Sequence, residues 1–159
     1  MGQVLSTPEL TAALERQRAR GARIVLTNGV FDLLHVGHLR SLAQARALGD
    51  LLVVGVNSDA SVRRLKPGRP LVPEAERAEL LAALVPVDYV VVFDEPTAER
   101  LVELVAPDVY AKGGDYTAES LPELGAVRAA GAALALLPLV ANHSTSRLLA
   151  QLRASAELP

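Results

Sequence analysis

Five short apolar runs, each separated from the next by a stretch with helical spacing, constrain the fold class most. They lie at 24–26, 51–57, 88–93, 108–111 and 133–137. An uninterrupted apolar run suits a parallel strand covered on both faces, and a helix between consecutive strands makes their pairing parallel. The expected architecture is α/β: a Rossmann-like, doubly wound sheet of five parallel strands in the order 3-2-1-4-5. Ligand is expected at the switch between strands one and four. A length of 159 residues supports one core and is too short for two. The chain therefore reads as a single domain over 1–159, with an N-terminal helix at about 6–20 and a core from 23 to 152.

Half of the chain is hydrophobic but only 3% is aromatic, so the core must be built from Leu, Val and Ala. A formal net charge of -2 argues against a broad nucleic-acid surface. The absence of cysteine excludes disulfides, thiolate metal sites and cysteine catalysis, and fits a cytoplasmic protein. No apolar run is long enough to span a bilayer, and the first residues lack the pattern of a signal peptide.

The chemistry gathers where the first strand ends. Thr27-Asn28-Gly29-Val30-Phe31-Asp32 runs into His35-Val36-Gly37-His38, and residues 39–48 continue with helical spacing. A helix N-terminus offers unpaired backbone N–H groups and a partial positive charge, and so receives anions. Imidazoles placed there add directed donors, and Gly37 leaves room for a close approach. Neither the Gly-x-Gly-x-x-Gly fingerprint nor the Walker pattern is present.

Further candidates follow along the chain. Asn57-Ser58-Asp59 ends the second run; it reads as a helix cap for a short helix through Arg63 and also faces the ligand end of the sheet. The basic, proline-rich loop at 63–73 carries Lys66 and Arg69, suited to anion contact. Arg77 sits in the first turn of the next helix, where a cation opposes the helix dipole; that local conflict points to a ligand role. A helix at 97–105 is expected to be capped by Asp94 or Thr97. Lys112-Gly113-Gly114-Asp115-Tyr116 turns at the end of the fourth strand. A helix at 119–130, with a break near Pro122, leads to the last strand. Ser144, Thr145, Ser146 and Arg147 then open the final helix, as caps or as a second phosphate site.

Gly29-Val30-Phe31-Asp32 with His35-Val36-Gly37-His38 resembles the signature of the nucleotidylyltransferase superfamily, the cytidylyltransferase-like proteins with the His-x-Gly-His motif. The resemblance covers 23–152. Within the superfamily the heptose-1-phosphate adenylyltransferase group is most similar, through 27–32, Val56-Asn57-Ser58-Asp59-Ala60-Ser61 and the run at 112–116. In bacteria that group is often the transferase half of a bifunctional ADP-heptose synthase. His143 and Ser146 depart from the pattern, which has a small or apolar residue and a threonine at those places.

The resemblance implies transfer of an adenylyl group from ATP to a sugar 1-phosphate, with release of pyrophosphate. His35, His38, Lys66 and Arg77 carry the catalytic roles, His38 nearest the reacting group. Asn28, Gly29, Val30, Phe31, Asp32, Gly37, Asn57, Lys112, Gly113, Asp115, Ser144, Thr145 and Ser146 bind the nucleotide. Asp32 orients a histidine or approaches the metal. Mg²⁺ bridges the phosphates, held by substrate oxygens and water rather than by protein side chains. A homodimer is implied; nucleic acid and membrane partners are not. Two other functions share these residues: a cytidylyltransferase acting on glycerol 3-phosphate, and a nucleotide-sensing module without turnover. A flavodoxin-like binding domain shares the topology but leaves the paired histidines unexplained.

Overall fold

The computed structural model describes residues 1–114 and 116–138, together with Thr145 and Leu149. Along the chain come β1 (Gln3–Val4), α1 (Thr7–Arg18), β2 (Ile24–Gly29), α2 (Val36–Arg46), β3 (Leu51–Asn57), α3 (Asp59–Leu65), α4 (Glu74–Ala82), β4 (Tyr89–Phe93), α5 (Glu99–Val105), β5 (Val109–Gly113), α6 (Leu124–Ala129) and β6 (Ala133–Leu137). Thr145 and Leu149 are helical.

The sheet has six strands in the order β1-β4-β3-β2-β5-β6, every pair parallel. The five expected strands occur in the expected order, as β4-β3-β2-β5-β6. The expectation of five is corrected by β1, which adds to the β4 edge. Gln3 and Val4 are exposed and show no apolar alternation. Backbone bonds hold them: Gln3 N donates to Asp88 O and Leu5 N to Val90 O, both at 2.9 Å.

Side chains alternate strictly between two aliphatic layers. Ile24, Leu26, Leu51, Val53, Val91, Phe93 and Tyr110 pack with α1, α5 and α6. Val25, Leu52, Val54, Val56, Val90, Val109 and Ala111 pack with α2 and α4. All seven residues of β3 are buried, as a central parallel strand requires.

Several element ends differ from the sequence expectation. Strand β2 continues to Gly29, so Thr27 and Asn28 belong to the sheet rather than to the loop. Helix α5 begins at Glu99 with Ala98 as its N-cap, not Asp94 or Thr97; the carboxylate of Glu123, the N-cap of α6, accepts from Ala98 N at 3.2 Å. The helix expected over 119–130 is shortened to α6, because Pro122 has no N–H to continue the ladder. Ser6 caps α1 in a reciprocal box with Glu9.

Close approach requires glycine at 49, among other places. The turn from α2 into β3 passes the first strand so tightly that a Cβ on Gly49 would sit 2.7 Å from the Arg23 carbonyl oxygen and from a Val25 methyl. Gly49→Ala is expected to cost about 1–3 kcal/mol, as overpacking does. Urea unfolding with an unchanged m-value checks it.

Candidate functional site

The topological switch lies between β2 and β5. Their ladder pairs Val25 with Val109 and Leu26 with Tyr110, and stops there. Beyond it the two carboxyl ends run on to Gly29 and Gly113 without pairing with each other, which opens the crevice where doubly wound sheets bind ligands. Side chains bridge this gap. Asn28 Oδ1 accepts from Tyr110 OH at 2.5 Å and from Lys112 Nζ at 3.1 Å. Lys112 is 9% exposed and also lies 3.5 Å from Glu123 Oε1.

The histidine loop joins β2 to α2. Phe31 and Leu33 have φ of 52° and 53°, left-handed values that cost a non-glycine residue about 1–3 kcal/mol each. Asp32, between them, supplies the anchor. Its buried carboxylate accepts from Leu71 N at 3.0 Å and Val72 N at 3.1 Å, and pairs with Arg69 Nε at 3.5 Å. Gly29 leaves space for Phe31 to fold back, since a Cβ there would meet the ring at 3.1 Å. The Phe31 ring then meets His38 edge-on, 5.5 Å between centroids.

The two histidines cap α2 reciprocally. Gly37 N donates to His35 Nδ1 at 3.1 Å, and His35 N donates to His38 Nδ1 at 3.4 Å. The rings stack 3.9 Å apart. A backbone amide only donates, so each Nδ1 is a bare acceptor and the proton of each neutral ring sits on Nε2. His38 is held neutral well beyond physiological pH: burial, then the neighbouring His35, lowers its pKa from 6.5 to about 4. The pair and the switch-point group adjoin. A Cβ on Gly113 would lie 3.7 Å from Ser41 Oγ, and Ser41 follows His38 by three residues on the same helix face.

The family model described as cytidylyltransferase-like matches residues 26–145. The chain belongs to the cytidylyltransferase-like family. It is 53% identical over 141 residues to "Bifunctional protein HldE" of Syntrophotalea carbinolica, covering 88% of this chain and 29% of that protein. It is 52% identical over 151 residues to the protein of the same name from Halorhodospira halophila, covering 94% of this chain and 32% of that protein. The chain thus spans about a third of the length of the curated relatives it matches. Among solved structures it resembles a lipopolysaccharide core biosynthesis protein from Thermoplasma volcanium, with a TM-score of 0.62 and 31% identity; the match covers 76% of this chain and 98% of that one.

In this cytidylyltransferase-like chain the expected site residues divide into three groups. His35, His38, Gly37, Asn28, Gly29, Val30, Phe31, Lys112 and Gly113 gather at the switch. Thr145 joins them, its Oγ1 donating to Asp32 O at 3.0 Å. Asp115, Ser144 and Ser146 lie outside the described residues. Arg77, Asp32 and Arg69 are placed differently from expectation. Arg77 is fully buried and spent internally: Nε donates to Val72 O at 2.9 Å, Nη1 to Val30 O, and Nη2 to Asp59 Oδ1 at 2.7 Å. It braces the loop from behind rather than reaching into the crevice. The Asp32 carboxylate is turned to loop 69–72 and, among the described residues, accepts from no histidine. Arg69 is drawn to Asp32 instead of an anion. The buried amide of Asn57 donates to Ser61 Oγ at 3.2 Å. Lys66 is exposed at the end of α3.

Sequence reasoning missed Glu123, which is 3% exposed and stands beside Lys112 and Tyr110. Its signal was available: it precedes Val127 by four residues, so within the helix expected over 119–130 it falls on the inward face. Burial, and then the Glu123 carboxylate, push the Tyr110 hydroxyl well above its ordinary range and keep it protonated. Burial lowers Lys112, and Glu123 opposes that shift.

The histidine pair makes stability pH-dependent. Between the ordinary value of 6.5 and about 4 the unfolded chain takes up a proton at His38 that the folded protein refuses. Its contribution is complete above 6.5 and is lost as pH falls toward 4. Melting temperatures measured from pH 7 to 4 should fall, and fall less steeply in His38→Gln.

Proposed function

We propose that this chain transfers an adenylyl group from ATP to heptose 1-phosphate, giving the ADP-sugar and pyrophosphate. A sugar-phosphate oxygen attacks the α-phosphorus, the bond to the β-phosphate oxygen breaks, and pyrophosphate leaves. The acceptor arrives ionised, so no strong base is required. Catalysis is alignment and charge stabilisation at preorganised donors. The observation that carries the reading is the stacked His35–His38 cap at the start of α2, a neutral donor fixed at a helix N-terminus beside the β2–β5 gap. The Lys112-Gly113-Gly114 run across that gap, and the relatives named HldE, support it.

His38 Nε2–H serves the reacting phosphate, with His35 stacked against it. Lys112 meets phosphate charge, and the hydroxyls of Ser144 and Ser146 receive the outer phosphates, with Thr145 between them tying the same helix start to the histidine loop through Asp32 O. Mg²⁺ enters as part of the nucleotide substrate. No cluster of three or more His, Asp or Glu side chains that could hold a metal is present among the described residues. Asp32 is turned to loop 69–72; substrate oxygens and water would hold the ion. Among the described residues no helix is long and apolar enough to cross a membrane. We assign the reaction to the cytoplasm and to a homodimer.

Pyrophosphate release decides the matter. ATP with heptose 1-phosphate is expected to release it, and CTP with glycerol 3-phosphate is not. The opposite result would make the chain a cytidylyltransferase. ATP binding without release, whatever the acceptor, would leave a sensing module.

A further inference from the structure

Glu123 has no part in the mechanism just given, yet it is the one full negative charge facing Lys112 among the described residues. Its Oε1 accepts from Ala98 N at 3.2 Å and lies 3.5 Å from Lys112 Nζ. Its Oε2 is buried and has no hydrogen-bond partner among the described residues. We propose that Glu123 is the positioning residue for Lys112: it keeps the ammonium charged and aimed across the β2–β5 gap, where the nucleotide phosphates arrive. The role rests on the nucleotidyl-transfer reading above.

A purely structural role does not account for a carboxylate. Capping Ala98 N needs one acceptor oxygen, which an amide of the same shape supplies. A buried carboxylate is costly unless it is paired. Lys112 needs such a partner. Its other neighbours are Asn28 Oδ1, Tyr110 OH at 3.5 Å, and the faces of the Tyr110 and Tyr116 rings, all of them uncharged. The Tyr110 hydroxyl stays protonated and cannot supply the charge. Two of the three polar contacts of the ammonium are long, at 3.5 Å. They hold the group in place and exchange readily for phosphate oxygens. Without Glu123, burial alone would drive Lys112 toward the neutral amine.

The test follows Lys112 directly. Carbon-13 NMR of lysine-labelled protein, with the signal assigned by its loss in Lys112→Gln, gives the Lys112 midpoint without any turnover. Glu123→Gln is expected to lower that midpoint by about one unit or more. The alkaline limb of kcat/KM for Mg·ATP should move down with it, reducing kcat/KM by up to about tenfold at pH values above the wild-type limb. Glu123→Asp keeps the charge on a shorter arm and is expected to fall between the two. In a Lys112→Gln background, Glu123→Gln should change kcat/KM by less than about twofold, since the two act as one unit. An unmoved Lys112 midpoint, in both Glu123 variants or in whichever folds, overturns the proposal whatever happens to the melting temperature. So does an additive loss in the double variant. Failure of the chain to turn over either substrate pair would reject the reaction and leave the NMR result standing.

Discussion

Replacing His38 by alanine is expected to lower pyrophosphate release about 10²–10³-fold, the usual cost of one preorganised donor at a reacting centre. The loss should fall on kcat more than on KM, because the donor matters most where charge develops. The ring is neutral and its Nδ1 is already committed to His35 N at 3.4 Å, so its other nitrogen can only donate. Removing it also removes the stack that holds His35, 3.9 Å away. The fold should survive, since His38 is one partly exposed side chain at a helix start and lies outside both aliphatic layers. Circular dichroism with steady-state kinetics checks both halves. Near-normal turnover would remove His38 from the mechanism.

Arg77→Met is expected to cost about 3–5 kcal/mol of folding stability, the range for removing one member of a buried ion pair. Three groups lose their partner together: the carbonyls of Val72 and Val30 and the Asp59 carboxylate. They belong to three separate segments, so the variant unties loop 69–73 and the start of α3 from the histidine loop. Arg77→Lys should recover little. A lysine keeps the charge but cannot fork to three acceptors in the plane of a guanidinium. Urea unfolding measures the effect. If stability held while KM for ATP rose, the guanidinium would belong to the substrate after all.

The fate of Arg77 shows where the sequence stopped informing. Its place in the first turn of α4 is a real conflict, which the sequence reading turns into a ligand role. What the sequence did not reveal was that its donors are consumed by the protein. Asp32 and Arg69 follow the same pattern: residue types suited to a site, turned inward to hold a strained loop. By contrast, the order of the five long strands was legible, because continuous apolar runs joined by helical crossovers leave few topologies. Strand β1 was not, since two exposed residues paired only through their backbone leave no side-chain pattern. The histidine pair was legible as a motif. Its tautomers were not, because they depend on which amides the rings accept from.

Those tautomers carry a consequence for metals. A transition ion binds imidazole through a bare nitrogen lone pair, and in this pair both such lone pairs are already occupied by main-chain amides. For either ring to become a ligand through its outer nitrogen, it would have to surrender its place at the helix start. The chain therefore carries two stacked histidines that are poor bait for zinc or nickel as long as they cap the helix.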